Sequence, residues 1–414
     1  MAAVQEKVSA FLKKYGMHYE NIDMNDCVAA FMDDMEKGLT AEGSSIAMIP
    51  TYIETGNPIP IGKKVVVLDA GGTNLRTALI SFDENYKPII ENFQKNPMPG
   101  TGGAISKDAF FRILGDYIID LVPKGDKIGF CFSYPTEIYP NKDGRLIKFS
   151  KEVQCPEVHG QMIGENLLAY LRKKGFSDDR EVVIGTGINS CYVESNKNIL
   201  KLDDMNPRHN QIINTECGSF SRSPRGMIDE SLDKGTSDPG SYQLEKMTSG
   251  GYFGLVVTKT LEQATADGLF SDKTGELLKD LGRLSTKDVD DYCHNPHNRS
   301  NRLVKIMADQ SEEDRETLFL LIDSLLERAA RLAASAMAGT LLKCGKGLSP
   351  LAPVCLTVDG TTFYCFYHFR FRVEEYLREI LSGENQRYYK IVRVEPRLHS
   401  RSFLDASICG TAPW

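Results

Sequence analysis

The chain has 414 residues, 41% of them hydrophobic and 25% charged, with a net charge of -7. That length exceeds one compact core and asks for two lobes, or one domain with large insertions. The acidic balance excludes a whole-chain attraction to nucleic acid or anionic membrane. The ten cysteines are scattered, with no C-x-x-C spacing, which argues against zinc ribbons and thioredoxin-like redox sites and fits reduced thiols in the cytoplasm.

The opening MAAVQEKVSAFLKKYG is charged and has no signal-peptide core. Residues 1–60 read as helices with a linker. In VAAFMDDMEKGL, Val28, Phe31, Met32, Met35 and Leu39 fall at helical spacing, and GNPIP closes the segment. From Lys63 the texture turns to strands: KKVVVLDA, LRTALISF and KPIIENFQKN. A helix (KDAFFRILGDYIIDLV), a strand (KIGFCFSYP) and a second helix (QMIGENLLAYLRKKG) follow. REVVIGTGINSCYVE reads as strand, loop and strand, and QIINTECGSF as a further strand. The chain then becomes mainly helical. Its longest apolar stretch holds Asp323, Glu327, Arg328 and Arg331, so it is a core helix, with alanines suited to pack on a sheet, and not a membrane span. PVCLTVDGTTFY is strand then turn, HFRFRVEEYLREIL a helix and YYKIVRV a last strand. This alternation predicts an α/β fold of two lobes. The expected division is an N-terminal helical segment (1–60) on the large lobe, a small lobe (61–184), the large lobe (185–395) and a divergent, poorly ordered tail (396–414).

LDAGGTN, between two strands, is neither a P-loop nor a dinucleotide fingerprint, because no helix follows and no G-K-[ST] is present. Gly71 and Gly72 permit positive φ and a close approach of backbone N–H groups to an anion. Thr73 adds a hydroxyl, and Asp69 at the strand end can hold a hydrated Mg²⁺ that bridges phosphates. Taken alone, the stretch is either such a site or a plain β-turn with a capping aspartate. Two more glycine–threonine loops end strands: Gly185-Thr186-Gly187, and Asp359-Gly360-Thr361. The three together resemble the ATP clamp of the actin/hexokinase/heat-shock-protein superfamily.

The chain resembles the hexokinase family from about Phe31 to Val394. FMDDMEKGL…SSIAMIPTYI, LDAGGTNLR, FCFSYP, GTGINSCYVE, INTECGSF, LEKMTSGGYFG and VDGTTFYCFYHF are similar to its motifs and stand in its order. The resemblance implies a two-lobed actin-like (ribonuclease H-like) α/β fold, with mixed sheets flanked by helices. It implies ATP-dependent phosphorylation of a glucose-like hexose, feeding glycolysis, in a cytoplasmic monomer or homodimer with no nucleic-acid or membrane partner. Ser133, Ser150, Lys151, Asn189, Glu216 and Glu245 would bind sugar hydroxyls. Carboxylates and amides suit that task, since each pairs with hydroxyls in defined directions. Asp69, Gly71, Gly72, Thr73, Asn74, Arg76, Gly185, Thr186, Gly187, Asp359, Gly360 and Thr361 would hold ATP, with Mg²⁺ reached from Asp69 through water.

Two stretches depart from the family. Between GFSDDREVV and IGTGIN the family carries a strand–helix–strand passage whose first strand ends in Asn-Asp-Thr, and that aspartate is the general base. Here EVVI runs straight into GTG, and no N-D-T occurs anywhere, so no catalytic aspartate is assigned. Asp178 and Asp179 precede their strand and lie at its wrong end for a ligand. Glu216 and Glu245 are taken by the sugar. After KIVRV, the tail EPRLHSRSFLDASICGTAPW replaces the family's acidic residue, Gly/Ala turn and closing helix. Three hypotheses follow: a hexose kinase, a catalytically impaired relative that binds or senses glucose, and an unrelated ATPase or scaffold of the same superfamily. The sugar motifs argue against the last.

Overall fold

The computed structural model describes residues 2–393 except 41, 56–57, 72–73, 133, 135, 150–152, 177–181, 186–189, 204, 237 and 359; for residues 182–185 it describes backbone only. Helices α1 (Ala2–Lys14) and α2 (Met24–Thr40) open the chain. Strands β1 (Ile49–Glu54), β2 (Val65–Ala70), β3 (Asn74–Phe82) and β4 (Pro88–Pro97) follow. Next come α3 (Lys107–Ile118), β5 (Lys127–Phe132), the pair β6 (Thr136–Ile138) and β7 (Gly144–Leu146), and α4 (Ile163–Lys173). Strands β8 (Val182–Gly185), β9 (Cys191–Ser195) and β10 (Asn210–Asn214) end the strand-rich half. The rest is mainly helical: α5 (Met227–Lys234), α6 (Gln243–Thr248), α7 (Phe253–Ala266), α8 (Asp272–Lys279), α9 (Thr286–His294), α10 (Arg302–Met307) and α11 (Glu312–Lys343). Strand β11 (Val354–Val358), α12 (Thr361–Cys365), α13 (Phe369–Ile380) and β12 (Tyr389–Arg393) close it. Ser106, Ser271, Ser285, Asn301 and Ser311 start α3, α8, α9, α10 and α11, each accepting a backbone N–H that would otherwise lack a partner.

The described chain divides into two compact units: Met48–Asn214, and Met1–Ala47 with Thr215–Arg393. The first is built on a mixed sheet of order β4-β3-β2-β5-β8, with β2 antiparallel to β3 and parallel to β5. The continuous apolar run of β2 suits a strand covered on both faces. Val66 and Leu68 face α3 and α4 in a core with Phe110, Leu114, Phe130 and Leu167, while Val67 joins Ala78 and Ile80 on the other face. The second unit is organised by α11, whose main packing partners are α13, α2 and α1. Its alanines therefore meet helices, not the sheet expected from the sequence. Among the described residues no helix is long and apolar enough to cross a membrane.

Two expectations need correction. Residues 1–60 are not only helices and linker, because β1 lies among them and pairs antiparallel with β10. The expected lobe boundary after 184 also moves, since β9 and β10 group with the strands before them. Within that unit β9 pairs antiparallel with β10. The tail from 396 lies outside the described residues.

Just before β1, buried Met48 adopts φ 47°, which is uncommon for a side chain of its size. The Lys201 ammonium donates to its carbonyl at 2.7 Å. Burial pushes the Lys201 pKa down to about 8 from 10.5. The folded state thus releases a proton that the unfolded chain keeps until higher pH, so stability from this group rises between about pH 8 and 10.5. Other lysines, cysteines and tyrosines titrate nearby, so the comparison must be internal. The urea midpoint of the natural chain relative to Lys201→Met is expected to climb from pH 7.5 to 10; parallel pH profiles would refute it.

Candidate functional site

In the first unit, the candidate phosphate residues gather at one end of the sheet. Asp69 lies level with Cys131 of β5, and Cys131 level with Gly185 of β8. These are the carboxyl ends of three parallel strands, where ligands of open α/β sheets bind. Asp69 faces Arg76 across the β2–β3 ladder, and Arg76 Nη1 stands 2.6 Å from Asp69 Oδ2. The carboxylate is 1% exposed, so this pairing offsets the cost of burying it. Gly71 N–H donates to the Asn74 carbonyl at 2.9 Å, closing the tight hairpin that the glycine pair predicted.

Tyr134, the variable position of the Phe-Ser-x-Pro motif, was missed by sequence reasoning. Its hydroxyl donates to the Gly71 carbonyl at 2.8 Å, which ties the FCFSYP stretch to the LDAGGTN turn. Its ring packs on Phe132 at 5.0 Å and edge-on to Phe149 at 5.1 Å. Burial raises its phenol pKa, so it serves as a neutral donor. Gly72, Thr73, Ser133, Ser150, Lys151, Thr186, Gly187, Asn189 and Asp359 lie outside the described residues.

In the second unit, the turn that follows Glu216 packs on Glu245. Glu216 has φ 56°, ψ 43° and leads into the short turn Cys217–Ser219, which packs on α6. Glu245 sits in the first turn of α6. Gly218 makes the approach possible: a Cβ there would stand 3.3 Å from both Glu245 Cβ and Oε2. Tyr242, the residue before α6, also adopts positive φ. Its phenol pKa is raised by burial and then by the charges of Glu216, Asp238 and Glu245, so its hydroxyl lies in the field of both candidate sugar carboxylates. The third glycine loop begins at Gly360, whose φ of 132° strongly favours glycine. Thr361 opens α12, and the Tyr364 hydroxyl donates to the Val358 carbonyl at 2.9 Å. A Cβ on Gly250 would come within 2.4 Å of Thr362 Oγ1, so the Ser-Gly-Gly of LEKMTSGGYFG packs on this loop. Among the described residues no cluster of three or more His, Cys, Asp and Glu could hold a metal ion.

Residues 181–412 match a family model described as hexokinase, and residues 7–191 match a second model of the same description. The chain belongs to the hexokinase family. Its reaction class is hexokinase-type sugar phosphotransfer. Hexokinase-7 of Oryza sativa subsp. japonica is 27% identical, over 93% of this chain and 92% of its own length. Human hexokinase-2 is 26% identical, over 93% of this chain and 46% of its own length. A hexokinase from Schistosoma mansoni complexed with glucose superposes with a TM-score of 0.75 at 23% identity, covering 95% of this chain and 96% of that one. A further hexokinase crystal structure gives a TM-score of 0.76 at 18% identity, over 99% of both chains. These two establish the two-lobed actin-like fold. The hexokinase match starts at residue 7 and ends at 412, beyond the Phe31–Val394 span of the motifs, and includes most of the divergent tail. The two models overlap over 181–191.

Proposed function

We propose that this hexokinase transfers the γ-phosphoryl group of ATP to the primary hydroxyl of a glucose-like hexose, and does so slowly. The packing of Glu245 on the Gly218 turn that follows Glu216, with both charges acting on the Tyr242 hydroxyl, carries the sugar half of the reading. Two carboxylates brought to one region suit a ligand rich in hydroxyls, and such a site rejects sugars that lack the hydroxyl it pairs with. Ser133, Ser150, Lys151 and Asn189 complete the sugar set. The glycine turns at Gly71, Gly185 and Gly360 take the phosphates. Asp69, at a strand end and paired with Arg76, would reach a hydrated Mg²⁺ only through water, which fits an ion that keeps several of its own waters. The relative solved with glucose supports glucose as the first sugar to test.

The missing Asn-Asp-Thr favours a second reading, a hexokinase that retains sugar without turning it over. Calorimetric titration separates both from a protein with no sugar site. Glucose is expected to bind, and Glu245→Gln to weaken it about 10–100-fold, the worth of a hydrogen bond to a charged acceptor. Glucose affinity unchanged by that substitution would sink the sugar-site reading. Formation of hexose 6-phosphate from MgATP then decides between the kinase and the binding protein.

A further inference from the structure

Immediately after Glu245 comes a lysine that is 3% exposed. Lys246 Nζ donates to Asp233 Oδ1 at 2.6 Å, Thr236 Oγ1 at 2.8 Å and the Asp238 carbonyl at 2.8 Å, which uses all three of its N–H donors. Asp238 Oδ1 stands 3.1 Å away and adds a second negative charge. Asp233 is itself held by the Gly240 N–H at 2.9 Å and by Arg225 Nη1 at 3.5 Å. One ammonium thus ties the end of α5 (Asp233) and the following loop (Thr236, Asp238) to the first turn of α6. Burial works to lower the Lys246 pKa, but the hydrogen bonds to Asp233 and Asp238 raise it above the ordinary lysine value. Asp233 is held below the ordinary carboxylate value despite burial, chiefly by Lys246 and then by Gly240. Lys246 and Asp233 therefore stay charged across the neutral range.

The loop so fastened leads directly into Tyr242 and α6. Glu245 packs on the Glu216 turn over Gly218, where an added Cβ would already be tight at 3.3 Å. A shift at the start of α6 would therefore move the Glu245 carboxylate relative to that turn. We propose that Lys246 is a positioning residue: its buried ammonium fixes the entry to α6 and so sets the aim of Glu245 at the sugar. This rests on the reading of Glu216 and Glu245 as sugar ligands.

The test is a double-mutant cycle on the full chain, read as glucose dissociation constants by calorimetry, with MgATP affinity as a control. Lys246→Met is expected to weaken glucose about 10-fold and leave MgATP within about twofold. If Lys246 acts through Glu245, Lys246→Met/Glu245→Gln binds glucose no more weakly than Glu245→Gln alone. Additive losses, or a Lys246→Met chain that binds glucose normally, would overturn the proposal. If Glu245→Gln itself binds glucose normally, the sugar-site reading fails and takes this inference with it. Should Lys246→Met not fold by circular dichroism, Asp238→Asn decides by the same cycle. It removes one charge contact and leaves the Asp233 pair intact, so about a threefold, non-additive loss is expected.

Discussion

Replacing Arg328 with methionine is expected to cost the helical unit about 3–5 kcal/mol, the penalty for leaving a buried partner charge alone. Arg328 lies midway along α11 and is 1% exposed. Its Nη2 stands 2.6 Å from Asp229 Oδ2 and donates to the Pro224 carbonyl at 3.3 Å, and Nη1 lies 3.3 Å from Asp229 Oδ1. Asp229 caps its own helix, accepting the Gly226 N–H at 2.8 Å. The guanidinium also contacts Met247 Sδ at 3.4 Å, two residues beyond Glu245. Methionine fills much of the volume but leaves the Asp229 carboxylate buried with only that N–H. A chain of two units has no single unfolding free energy, so the readout must be local. Hydrogen exchange should show lost protection in α5, α6 and α11, with β2, β3 and β5 unchanged. Asp229→Asn added to Arg328→Met should recover most of the loss, because it removes the lone charge. A single substitution that leaves α11 protection intact would show that the pair contributes little.

Arg328 also shows where sequence reasoning reached its limit. It was read as a charge that rules out a membrane span, which is correct, but its partner lies 99 residues away and no local pattern marks it. The same holds for Lys246: beside Glu245 in a short helix it looks like a solvated lysine, and only the fold shows its burial. What local chemistry determines was legible. The apolar run of β2, the glycine hairpin at Gly71 and the helical spacing around Phe31 appear where expected. What non-local pairing determines was not. Strand β1 contains Pro50, has Tyr52 at positive φ and follows Met48, also at positive φ, none of which favours a strand; it exists because β10 pairs with it. Tyr134 occupies a motif position where side-chain identity seemed free, and its role depends on a carbonyl 63 residues earlier.

Glucose-dependent phosphoryl transfer by this chain should run about 10²–10⁴-fold below that of a hexokinase that carries its general base, the usual worth of such a group. Among the described residues, the carboxylates assigned to the proposed sites are already engaged. Asp69 is buried against Arg76, and Glu216 and Glu245 face the sugar in the proposed arrangement. The rate need not vanish, because phosphoryl transfer rests mainly on positioning and on charges that stabilise the transferring group. In the proposed arrangement such parts are kept in the Gly71 turn, the strand ends at Asp69 and Gly185, and the Gly360 loop. The pH profile offers an independent check. A carboxylate base makes the rate fall on acidification through its own pKa; without one, that acid limb should be missing while glucose affinity stays level. Turnover at ordinary enzyme rates, about 1–10³ s⁻¹, with a clear acid limb would mean that another carboxylate serves as base. Glucose binding with no detectable product, from folded protein, would instead make this chain a sugar-binding member of the family.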